Sequence, residues 1–130
     1  MNSDFILLNK TYQTNDYVSK IIINFPKKEV VLNHHIEEVI YKMVECLFAF
    51  NINDSSRIKD KYLKDYLVHL SMLNFYMYQA LNKKYISVKQ AQSIGKICVD
   101  LKKITYTLLK GSSSDDQVWW YCINRKNRVG

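Results

Sequence analysis

The feature that most constrains this chain is its shortage of helix breakers. Only three Gly and one Pro punctuate 130 residues, and long apolar stripes at helical spacing fill the intervals. The clearest stripe is Leu32, Ile36, Val39, Met43, Cys46 and Phe50, a 4-3-4-3-4 spacing widened by Ile40, Val44 and Leu47. A strand would alternate apolar and polar residues; this row repeats with the helical period and predicts a helix ending near Asn53. Leu63, Leu67, Leu70, Asn74, Met77 and Leu81 repeat the spacing and predict a third helix over 57–82, with Tyr62, Tyr66, Leu73, Tyr76 and Ala80 beside the row. Asn74 in that row either fixes register from a buried position or sits at an edge. A fourth row, Ala91, Ile94, Cys98, Leu101, Thr105 and Leu108, runs to Lys110 before Gly111 stops the helix.

The breaks carry their own signals. Pro26 suits the first turn of a helix and cannot lie inside one, so Phe25-Pro26-Lys27-Lys28-Glu29 is expected to open helix two, with Glu29 in its first turn. The segment before it, 4–24, is read as helix one despite imperfect periodicity. Ser55 or Ser56 is the expected cap of helix three, and Ser87-Val88-Lys89-Gln90 reads as a capping box with Ile86 as staple. Four helices of about twenty residues with short connections predict an all-α, up-down-up-down antiparallel four-helix bundle over 1–110. Residues 111–130 form a Gly-Ser-Asp linker and a short C-terminal tail holding Val118-Trp119-Trp120-Tyr121-Cys122-Ile123 and the basic Arg125, Lys126 and Arg128.

Charge is divided unevenly along the chain. Residues 1–56 hold five Lys and seven acids, a net of −2, whereas 57–110 hold eleven Lys/Arg against Asp60, Asp65 and Asp100, a net of +8. A basic half points to an acidic partner, nucleic acid first, against the alternative of a Lys-rich solvated surface. On helix four, Lys89, Lys96, Lys103 and Lys110 recur every seven residues. The seam phase puts them opposite the core, in one basic line about 30 Å long. Lys102 flanks the line, and Lys83 and Lys84 extend it. Such a line neutralises several phosphates in a salt-dependent, weakly sequence-specific way. Tyr62, Tyr66 and Tyr76 are assigned to the core or an interface; Tyr85, Tyr106, Trp119 and Trp120 are the candidates for exposed contact, the two Trp for docking on a partner or neighbouring subunit.

Catalytic chemistry finds little support. His34, His35 and Glu38 could begin a metal site, but further ligands at matching spacing are missing and a polar surface is the better reading. The sequence has no Gly-rich phosphate loop and no nucleophile motif. Cys46, Cys98 and Cys122 are odd in number and far apart, and the first two are expected as small core residues of a reducing, intracellular compartment. No signal peptide or membrane span is read from the sequence, and a cytoplasmic location is expected. The chain is therefore expected to be no enzyme and to use no metal or cofactor.

Several short stretches resemble one family. Phe25-Pro26-Lys27-Lys28-Glu29 followed by Leu32 and Ile36 resembles its helix-two start. Tyr62-Leu63-Lys64-Asp65 and Leu70-Ser71-Met72-Leu73-Asn74-Phe75-Tyr76 resemble its third helix. Lys84-Tyr85-Ile86-Ser87-Val88-Lys89-Gln90 with Ile94-Gly95-Lys96 resembles the start of its fourth. The family is that of short bacterial four-helix bundles which includes Avd, the accessory variability protein of diversity-generating retroelements, and proteins encoded by intervening sequences in ribosomal RNA genes. Where many relatives carry a Gly-Trp pair, this chain reads Thr105-Tyr106-Thr107-Leu108-Leu109. The resemblance implies a pentameric, non-enzymatic protein that binds a reverse transcriptase and its template RNA, and possible cDNA, to support mutagenic cDNA synthesis. It implies nucleic-acid contacts at Lys83, Lys84, Lys89, Lys96, Lys103 and Lys110, with Arg57, Lys61 and Lys64 secondary. The alternative expectation is a structural homo-oligomer of the intervening-sequence type with no specific nucleic-acid role.

Overall fold

The computed structural model describes residues 3–110, which form four helices: α1 (Ser3–Ile22), α2 (Val30–Ile52), α3 (Ser56–Asn82) and α4 (Val88–Lys110). The described residues contain no strand. Each helix packs antiparallel on its chain neighbour and α4 closes against α1, so α1 and α3 lie across a diagonal of the bundle. This is the up-down-up-down arrangement that the short connections dictate. The linker and tail expected over 111–130 lie outside the described residues.

The α2 stripe is buried as its spacing predicts: Leu32, Ile36, Val39, Met43, Cys46 and Phe50 all face the core. On α3 the buried row is Leu63, Tyr66, Leu70, Leu73, Met77 and Ala80. The expected row through Leu67, Asn74 and Leu81 is thus rotated by one position. Leu67 and Leu81 are half-buried, and Asn74 is exposed at the rim of a groove with α4. Helix one explains its own weak periodicity. Its core row is Leu7, Thr11, Thr14, Val18 and Ile21, while Phe5 and Tyr12 face outward. The two threonines tolerate burial because each hydroxyl donates to the carbonyl four residues back, Thr11 to Leu7 at 2.8 Å and Thr14 to Lys10 at 2.7 Å. Thr11 Oγ1, its proton so engaged, accepts from Tyr66 Oη at 2.7 Å, which ties α1 to α3 through the core.

The connections differ from expectation at one point. Pro26 and Glu29 precede α2 and do not sit in its first turn: Glu29 N–H closes a turn on Pro26 O at 2.9 Å, and Glu29 occupies the cap position. Its side chain leaves the helix end and crosses to the α3–α4 connection. At that connection Lys84 takes φ 64°, Tyr85 N–H bonds Ala80 O and Lys84 N–H bonds Leu81 O, each at 2.9 Å. This is a Schellman stop built on a lysine where glycine is the usual choice. The capping box forms as read: Gln90 N–H donates to Ser87 Oγ at 3.1 Å and Ser87 N–H to Gln90 Oε1 at 2.9 Å. At the opposite end, Lys59 Nζ donates to Phe50 O at 2.7 Å and lies 4.3 Å from the Phe50 ring centroid, satisfying a carbonyl at the end of α2.

Candidate nucleic-acid interface

Helix α4 buries Ile94, Cys98, Leu101, Thr105 and Leu109 along one side. That commitment leaves Lys89, Lys96 and Lys103 on the opposite side, all exposed, about 10 Å apart along the axis. None forms a salt bridge among the described residues. Lys110 ends the helix, and its side chain lies outside the described set. Lys102 is exposed on the α3–α4 groove beside Asn74, Gly95 and Val99. The helix's acid, Asp100, is exposed on the same outward side, four residues after Lys96 and three before Lys103, at the edge that meets Lys10 and Gln13 of α1. Lys89 stands in a first turn that holds no acid. The positive end of the helix dipole disfavours a cation there and favours an approaching anion. Lys84, exposed at its left-handed position, adds charge at the same end.

Lys83 does not join this set as the sequence suggested. Its Nζ lies 2.9 Å from Glu29 Oε1, and Tyr85 Oη donates to the same oxygen at 2.6 Å. These two bonds, the tyrosine first, hold the Glu29 carboxyl below its ordinary pKa. The same bond to Glu29 pushes the Tyr85 hydroxyl up. Tyr85 is also half-buried and stacks at a tilt on Phe25, with ring centroids 5.3 Å apart, so it is not the exposed platform expected of it. Tyr106 is likewise buried, which raises its hydroxyl pKa. Its side chain turns inward near the α4 end, next to the buried Thr105 in sequence.

The secondary cations on α3 sit in mixed charge. Arg57, Lys61 and Lys64 line a shallow depression together with Asp60 and Asp65. Lys61 Nζ is 3.0 Å from Asp65 Oδ2 and 4.6 Å from the Tyr62 ring centroid, and the Asp65 hydrogen bond raises its pKa. Arg57 and Lys64 are exposed. Trp119 and Trp120, expected to dock on a partner, lie outside the described residues. Sequence reasoning missed Glu29 as the group that neutralises Lys83, because the two are 54 positions apart and no local pattern links them.

Groups capable of other chemistry are scattered. His34 Nε2 lies 3.6 Å from Glu38 Oε2 on an exposed face, and His35 stacks on Tyr76 with centroids 5.7 Å apart. Among the described residues no three His, Cys, Asp or Glu side chains gather as a metal-ligand set. His69 has its pKa lowered by burial and then by Lys42. Burial pushes the thiols of Cys46 and Cys98 up to about 11, which keeps them protonated and poor nucleophiles at neutral pH. No helix among the described residues is long and apolar enough to cross a membrane.

No family model matches the chain, and a search of curated proteins gives no match. Among solved structures, the bundle is similar to a protein of unknown function from the S23 ribosomal protein family of Bacteroides thetaiotaomicron, with a TM-score of 0.77. That similarity covers 84% of this chain and 99% of the other at 14% identity, and at that identity it establishes the four-helix fold alone.

Proposed function

We propose that this chain is a nucleic-acid-binding accessory protein with no catalysis of its own, which engages RNA along α4 and supports a reverse transcriptase of the diversity-generating retroelement kind in the cytoplasm. The observation that carries the reading is the line Lys89, Lys96 and Lys103, exposed, evenly spaced and without a salt bridge among the described residues, on the half of the chain with net charge +8. The α3 depression sets Asp60 and Asp65 against its three cations, whereas α4 has Asp100 alone against its row of lysines. Lys84 and Lys102 extend the surface, the resemblance adds Lys110, Arg57 and Lys64, and Lys83 serves structure through Glu29. The resemblance of the Phe25–Glu29 and Lys84–Gln90 stretches to the Avd-like bundles supplies the retroelement and the homopentamer. A second reading, a structural homo-oligomer of the intervening-sequence type, is favoured by the exposed apolar Val31, Val68, Met72 and Phe75 on α2 and α3.

The two readings separate in one titration. Affinity for single-stranded RNA, measured by fluorescence anisotropy over a range of salt, is expected to fall steeply with salt for the wild-type chain. The combined Lys89→Gln, Lys96→Gln and Lys103→Gln variant loses about two units of that log–log slope, three phosphate contacts at about 0.7 each. Binding that is absent, or indifferent to the three substitutions, sinks the nucleic-acid reading and leaves the structural one. Recovery of a reverse transcriptase with the tagged protein from its host tests the partner.

A further inference from the structure

We propose that the aromatic segment Val118–Ile123 folds back on its own chain and fills the apolar groove between α1 and α2. The groove has Tyr12 on one wall and Ile40, Tyr41, Val44 and Phe48 on the other. Tyr41 and Phe48 are 68% and 49% exposed, and Tyr12 45%, a concentration of bare aromatic surface on one side of the bundle. Burying such surface is worth about 25 cal/mol for each Å² removed from water, so an apolar occupant within reach is favoured.

Topology brings the occupant within reach. Helix α4 runs antiparallel to α1, so Lys110 ends at the same end of the bundle as the start of α1 and the finish of α2. From that end, Tyr12 lies about 15 Å along the bundle, and α1 is about 10 Å across. Trp119 lies nine positions after Lys110. Extended, that stretch spans about 30 Å, and Gly111-Ser112-Ser113-Ser114 imposes little conformational preference on the path.

Charge selects this groove over the one between α3 and α4. Asp16 and Glu45 stand on its rim, in the half of the chain with net charge −2. The residues after the aromatic segment include Arg125, Lys126 and Arg128. The α3–α4 groove, by contrast, carries Lys102 and adjoins the lysine line, which repels a basic tail. Val118, Trp119, Trp120, Tyr121 and Ile123 thus match the groove floor, and the cations after them match its rim. This assignment does not depend on the nucleic-acid reading of α4.

Both tryptophans of the chain lie in the segment, so tryptophan emission reports on it alone. In the full-length protein the emission is expected to be blue-shifted and several-fold less sensitive to acrylamide than that of a free indole, at every protein concentration. Tyr41→Glu with Phe48→Glu moves it to the water-exposed position while far-ultraviolet circular dichroism stays helical, because both side chains are on the surface. Val99→Glu, in the α3–α4 groove, leaves it unchanged. Water-exposed emission in the wild-type chain, or emission indifferent to Tyr41→Glu with Phe48→Glu, overturns the proposal. Shielding that disappears on dilution overturns it too, assigning the groove to the tail of a second copy.

Discussion

Glu29 shows how much one side chain can decide. It lies in the α1–α2 connection, yet its carboxylate binds Lys83 and Tyr85 of the α3–α4 connection and so joins the two loops at one end of the bundle. The carboxyl pKa is lowered by these partners. A group with a depressed folded pKa stabilises above its unfolded pKa, about 4.3 for Glu, and that contribution is lost as pH falls through the folded value. Glu29→Gln is therefore expected to be less stable than wild type at pH 7, with the difference shrinking as pH falls below about 4.3 and gone once pH is under the folded pKa. Urea denaturation across that range checks it; a difference that persists unchanged into acid refutes the assignment. The sign reverses for Tyr85, whose pKa is raised by Glu29: its contribution is present below its unfolded pKa, about 10, and lost as pH climbs through the folded value. Glu29, Lys83 and Tyr85 were each visible in the sequence, but their association was not, because the signal for it is spatial.

At the scale of the element, α3 and α4 show which helix signals are legible. The Ser87–Gln90 box was readable because both partners lie within one turn, and its two reciprocal bonds form. The stop of α3 was less so. A Schellman motif normally announces itself with glycine, and here Lys84 takes the left-handed position. For a residue with a Cβ that conformation costs about 1–2 kcal/mol. Lys84→Gly is expected to raise stability by about 1 kcal/mol, read as a higher urea midpoint at constant m-value. The same variant removes a cation from the start of α4 and is expected to weaken RNA binding modestly, so stability and binding move in opposite directions. If they fall together, Lys84 has a structural role the hydrogen bonds do not reveal. The lysine line on α4 was legible for a simple reason: a seven-residue repeat drifts only about 20° per heptad, so Lys89, Lys96 and Lys103 stay on one side over about four turns, and the buried row opposite fixes which way it points.

At the scale of the whole molecule, the bundle is held by a continuous apolar core with a polar link between α1 and α3 buried inside it. Tyr66 Oη donates to Thr11 Oγ1, and Thr11 donates onward to Leu7 O. Burial pushes the Tyr66 hydroxyl pKa far up, so it remains a donor. The chain of bonds makes the two partners unequal. Tyr66→Phe removes a donor and leaves Thr11 still bonded to Leu7, an expected loss of about 1 kcal/mol. Thr11→Val strands a buried hydroxyl without its acceptor and is expected to cost more, about 2–3 kcal/mol. Thermal or urea unfolding of both variants compares them directly; equal costs argue that water reaches the site. No periodicity of α1 indicated this link, since threonine in a buried row reads as a polar interruption until its acceptors are seen.

What the sequence determined by itself was the number of helices, their boundaries to within a few residues, the α2 and α4 core faces and the direction of the lysine line. Each of these rests on relations within about one or two turns of chain, where spacing alone sets geometry. Tertiary structure decided that Tyr66, Leu73 and Ala80, which the spacing set beside the α3 row, take the places expected of Leu67, Asn74 and Leu81, that Phe5 and Tyr12 face outward, and that Tyr106 is buried. It also decided that Lys83 is neutralised by Glu29. Those outcomes depend on which neighbour each helix face meets, and that is set by packing between different helices, not by relations within one.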